Sequence, residues 1–199
     1  LPYFNSSTVQ KIKELKCPKE EYVNRLTEIF MEEMRYKPEI MRVNPTAIDG
    51  LYSCMEAGFN FREGFIQINP ASFDSKEALA CMIRHELDHF DFYARLAKTI
   101  GLEKFYELLS KGNGHAKASI NRTFWETAIV DAKPLSKSEA SRYIKAVKKY
   151  YSPEISDGIE KWIIYHNNEI EARAYDIQTS LAKSLEIDTK NTIYAVPIR

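Results

Sequence analysis

At 199 residues, with 28 Lys plus Arg against 28 Asp plus Glu, the chain carries no formal net charge. That removes the net positive electrostatic footprint expected of a nucleic-acid binder. No run of 18 apolar residues occurs, so no membrane span is expected, and three cysteines without a C-x-x-C pair give neither a disulfide framework nor a cysteine zinc site.

Hydrophobic residues at 44% and charged residues at 28% suit a soluble globular protein, and only seven glycines favour helix over a β-sandwich. The expectation is a single domain over 1–199: N-terminal helices over 1–36, a β-region with a long helix over 37–98, and a helical subdomain over 99–199. Few cysteines and no signal peptide favour a cytoplasmic location. The start at Leu1 rather than Met is that of a processed form or a piece of a longer chain. Nothing in the sequence bears on oligomeric state.

In chain order, residues 6–36 read as two helices split by Cys17-Pro18. The second carries Tyr22, Leu26, Ile29, Phe30 and Met34 at helical spacing. Residues 38–69 are the β candidates, with Leu51 to Met55 and Phe65 to Ile68 expected to pair antiparallel across Gly58 to Gly64. A strand there offers an edge on which an extended peptide can pair. A helix follows over about 75–98. Asp74 is its expected cap, Glu77 stands at the third helical position, and Phe73 with Ala78 forms a hydrophobic staple. Further helices are expected at 102–111, 118–131, 136–150 (opened by the capping box Ser136-x-x-Glu139) and 157–185. The lysines between Lys145 and Lys149 read as a solvated face.

The helix over 75–98 contains His85-Glu86-Leu87-Asp88-His89, an H-E-x-x-H run. Residues four apart share a helix face, so His85 and His89 can aim two imidazoles at one ion. Glu86, one step round, can reach a water bound to it. Two histidines suit Zn2+, and the glutamate suits a general base. Cys81, one turn before His85, reads as a buried small hydrophobe.

A catalytic zinc needs a third protein ligand. The candidate segment is Asn167 to Asp176, where Glu169 and Glu171 bracket Ile170 and either can turn inward. Here the chain resembles the gluzincin metallopeptidases, in which a glutamate on a later helix completes an H-E-x-x-H site. Glu169-Ile170-Glu171-Ala172-Arg173-Ala174-Tyr175 fits the Glu-x-x-Ala-x-Ala-aromatic form seen in several branches. The resemblance covers about 64–95 and 157–182. It implies an α+β, mostly α, zincin-like fold: a small antiparallel β-sheet beside a long active-site helix, with a helical C-terminal half. It also implies Glu169 as the third ligand, with Glu171 the alternative. Many gluzincins carry an acid or amide four residues after the ligand, where this chain has Arg173. The support for the zinc histidines is therefore expected to differ, with Asp88, Asp91 or Asp176 as candidates.

The expected function is zinc-dependent hydrolysis of peptide bonds in a peptide or protein substrate. Glu86 takes a proton from the zinc-bound water and passes it to the leaving amine. His166 is the first candidate donor to the tetrahedral oxyanion, with Tyr165 and Tyr175 behind it. The alternative is a catalytically inactive zincin-like binding or regulatory module. A di-iron helix bundle needs a second Glu-x-x-His, which is missing. Peptide deformylases carry glycine-rich and cysteine motifs that are also missing.

Overall fold

The computed structural model describes residues 4–34, 42–45, 57–60, 64–69, 73, 75–110, 120–150 and 167–187. Among them the chain is mostly helical with one small sheet. Helix α1 (Ser6–Glu14) is started by Asn5, whose side chain accepts from the Thr8 N–H. A short 3-10 turn at Lys19–Glu21, after Pro18, leads into α2 (Tyr22–Met34), which buries Val23, Leu26, Phe30 and Met31. The expected helix pair and its break are therefore present.

Three short strands follow: β1 (Arg42–Pro45), β2 (Ala57–Asn60) and β3 (Phe65–Ile68). Their order is β1-β3-β2, with β3 parallel to β1 and antiparallel to β2. Two expectations are corrected. The sheet is mixed, because a parallel β1 joins the antiparallel pair. The antiparallel partner of β3 is 57–60, which overlaps the segment Gly58 to Gly64 read as the connection; Leu51 to Met55 lies outside the described residues. β3 buries Ile66 and Ile68 and half-exposes Phe65 and Gln67, the alternation of a strand with one face on a core. With a strand on either side, β3 offers no free edge; among the described residues β2 is the edge strand that packs on the long helix.

That helix, α3 (Lys76–Ile100), has 25 residues and is about 38 Å long. Its cap is Ser75, whose hydroxyl accepts from the Ala78 N–H at 3.1 Å. The expected cap, Asp74, lies outside the described residues. Gly101 ends the helix at φ 85°, a left-handed conformation that favours glycine, and its N–H bonds Ala97 O. From Ala78 to Ala97 nearly every side chain is buried, because α1, α2, β2, β3 and four later helices all pack on it. Such a helix is expected to be apolar all round. Instead it buries Arg84, His85, Glu86, Asp88 and His89. Buried ionisable groups are costly unless paired, so their partners are the centre of interest.

The later helices supply them. Helices α4 (Leu102–Ser110), α5 (Arg122–Ala128) and α6 (Lys137–Tyr150) close the core, with Trp125 wedged among Phe90, Phe105 and Phe124 at centroid separations of 4.9–6.4 Å. The capping box forms as expected, Ser136 N–H donating to Glu139 at 2.9 Å and Glu139 N–H to Ser136 Oγ at 3.3 Å. The last described helix is α7 (Glu169–Ser184). Asn168 caps it, accepting from the Ile170 N–H, while its amide donates to Ala146 O of α6. A helix boundary thus falls inside the segment read as one helix over 157–185; residues 157–166 lie outside the described set. α7 buries Ile170, Glu171, Ala174, Ile177, Gln178 and Leu181 and packs extensively on α3. No helix among the described residues is long and apolar enough to cross a membrane.

Candidate metal centre

His85 and His89 lie one turn apart on α3 with ring centroids 4.9 Å from each other. The acid that meets them is Glu171. His85 Nε2 stands 3.5 Å from Glu171 Oε2, and His89 Nε2 stands 3.5 Å from Glu171 Oε1. One donor atom from each of the three side chains lies within 4.8 Å of the other two, and all three residues are buried. This His-His-Glu group can hold a metal ion.

Glu169, the residue favoured by the resemblance, is placed elsewhere. It opens α7 on the exposed side and pairs with Arg142 of α6 at 2.8 Å. The reason is helical geometry. Two residues apart on a helix means opposite flanks, and α7 docks on α3 through the flank of Glu171, Ala174 and Gln178. The alternative named from sequence, Glu171, is the acid brought to the histidines.

Glu86 is 6% exposed and lies beside the same cluster. Burial pushes its pKa above the usual carboxylate range; His85 and His89 pull it down, Glu171 pushes it up, and the backbone N–H of Phe59 pulls it down. That hydrogen bond brings the β2 backbone onto the Glu86 carboxylate. Burial by itself lowers the His85 pKa, but the Glu171 carboxylate 3.5 Å from Nε2 and the charges of Glu86 and Asp88 offset this and leave it raised. Tyr175, one turn after Glu171, packs edge-on against His85 at 4.8 Å between centroids. Burial, then Glu171 and Glu86, hold its phenol well above the ordinary value, so it keeps its O–H. Cys81 is buried outside the cluster with its thiol pushed up to about 12 by burial and by Glu77, which suits the small-hydrophobe reading.

The supporting contacts differ from those named from sequence. His85 Nδ1 is held by Gln178 Oε1 at 2.9 Å, a residue the sequence reading passed over. The available signal was its position seven residues after Glu171, two turns along the same face. Asp88 and Asp91 both accept from Arg173, at 3.0 Å each, with Arg84 4.0 Å from Asp88. Asp176 is exposed. His166 and Tyr165 lie outside the described residues. Compared with known protein families, curated proteins and solved structures, the chain matches none.

Proposed function

We propose that the protein is a zinc-dependent peptidase of gluzincin type, with a zincin-like arrangement in which His85, His89 and Glu171 hold the ion and Glu86 is the general base. The observation that carries this is the pair of 3.5 Å separations between the two Nε2 atoms and the two oxygens of one carboxylate. They are long for direct hydrogen bonds. They match the spacing of about 3.4 Å between ligands that each sit 2.0–2.1 Å from a tetrahedral zinc.

When bound, zinc acidifies a coordinated water and polarises a substrate carbonyl. The chain does the rest. Glu86, made more basic by burial, accepts the proton of the attacking water and returns it to the leaving amine. The Phe59 N–H holds that carboxylate in place. Tyr175, kept protonated, is the described candidate to donate to the oxyanion. The β2 strand beside Glu86 supports a peptide substrate, since an extended chain can pair with such an edge through its backbone.

The test is elemental analysis of protein purified without added metal, together with casein or peptide hydrolysis by wild type and Glu86→Gln. About one zinc per chain in both is expected, with hydrolysis falling roughly 10²–10⁴-fold in the variant. Equal hydrolysis by both refutes the mechanism. A second reading, a metal-holding module without catalysis, is favoured by the burial of the site: none of His85, Glu86, His89 and Glu171 is more than 8% exposed. It predicts bound zinc with no hydrolysis by either protein.

A further inference from the structure

The two histidines are held unequally. His85 is gripped on three sides by one face of α7: Glu171 at Nε2, the Tyr175 ring against its plane, and Gln178 at Nδ1. These three are residues i, i+4 and i+7 of a single helix, so they arrive together when α7 docks on α3. His89 shares Glu171, but its buried Nδ1 meets no hydrogen-bond partner among the described residues.

The chemistry of the Gln178 contact is specific. A neutral imidazole carries one proton, and the nitrogen without it is the one that can ligate. Gln178 presents its Oε1, an acceptor, to Nδ1. That pairing requires the proton on Nδ1 and, in the neutral ring, leaves Nε2 as the nitrogen that can ligate. The acceptor is also neutral. Asp88, a further buried acid on α3, is engaged by Arg173 at 3.0 Å. The outer support of the site is therefore an amide where a carboxylate would add negative charge.

We propose that Gln178 is a positioning residue: its amide oxygen fixes His85 in the Nε2-ligating tautomer and thereby sets how tightly the site holds its metal. The consequence for metal rests on the zinc reading; the tautomer does not. Partners of ligating histidines of this kind change metal affinity about 10–100-fold when removed.

The test uses the full chain as wild type, Gln178→Leu and Gln178→Glu. Zinc affinity is measured by competition with a chromogenic chelator. Long-range proton–nitrogen spectra of the imidazoles, recorded with zinc and at alkaline pH without it, give the His85 tautomer. The expected result is an Nδ1–H tautomer in metal-free wild type, lost in metal-free Gln178→Leu, which also holds zinc about 10–100-fold more weakly. Gln178→Glu, which keeps an acceptor at the same reach, restores binding to the wild-type level or tighter. The restoration separates the hydrogen bond from packing alone. Leucine binding zinc as tightly as wild type, glutamate binding as weakly as leucine, or an Nε2–H tautomer in wild type each overturns the inference. If wild type takes up no zinc, the zinc reading fails, and the tautomer in metal-free wild type against Gln178→Leu still decides the role of Gln178.

Discussion

Replacing Glu171 by Gln and, separately, Glu169 by Gln separates the two acids that the sequence left as rivals. In Glu171→Gln the shape between the imidazoles is kept while the charge that both Nε2 atoms face at 3.5 Å is removed. Zinc binding to a four-ligand protein site is worth about 10–16 kcal/mol, so one ligand carries roughly 3 kcal/mol, more than a hundredfold in affinity. At a free zinc concentration one hundred times the wild-type Kd, zinc stabilises the folded state by about 2.7 kcal/mol. For a chain of this size that is a rise in Tm of roughly 5–11 °C. A hundredfold weaker variant retains only about 0.4 kcal/mol of it, a shift near 1 °C. Glu169→Gln loses only an exposed pair with Arg142 and keeps the full zinc-dependent rise. Thermal melts with zinc and with a chelator, monitored by circular dichroism, read both. If Glu169→Gln abolishes the rise and Glu171→Gln keeps it, the placement of α7 against α3 is wrong.

Three further outcomes are expected. In the metal-free protein His85 and Glu86 both hold their protons more tightly than in the unfolded chain. The stability each contributes is complete below its unfolded pKa and is lost as pH rises through its folded one. Zinc must displace the His85 proton, so its affinity climbs over that interval; zinc titrations from roughly pH 5 to 9 test this, and a pH-independent affinity contradicts it. Arg173→Leu strips the 3.0 Å partner from Asp88, which is 1% exposed, and about 3 kcal/mol of stability is expected to go with it. Urea unfolding measures that loss, and an unchanged midpoint would mean that Arg84 suffices for Asp88. Gly64→Ala puts a Cβ within 2.3 Å of the Phe124 ring at a residue with φ 78°, so strain and overpacking together cost about 2–4 kcal/mol. Unfolding of the alanine variant at wild-type denaturant concentrations would show that the Gly64–Phe124 contact yields freely.

The elements were legible wherever a local signal fixes them. The H-E-x-x-H spacing and the apolar periodicity around it belong to one stretch of chain, and α3 runs close to where they put it, with the cap moved from Asp74 to Ser75 and the end extended from about 98 to Ile100. Ser136 and Glu139 announced the start of α6 by the reciprocal bonds they make. The sheet was harder. Strand pairing joins residues far apart in sequence, and β1, which ends in Pro45, sits at an edge where a proline is tolerated. Nothing local announced that it would run parallel to β3.

From its residues alone the chain determined that two imidazoles and a glutamate share one turn of a helix, because their spacing matches the helical repeat. It also narrowed the distant acid to a pair bracketing Ile170. Only the tertiary structure chose between those two. Asn168 starts α7 by bonding Ile170 N–H and Ala146 O, and the helix then rolls its Ala174 and Gln178 flank onto α3. That roll carries Glu171 inward and leaves Glu169 to Arg142. The same docking decides which nitrogen of His85 is held and sends Arg173 to Asp88 and Asp91. A sequence gives the angle of each side chain around its own helix axis, but the rotation of one helix against another is set by packing of the whole core.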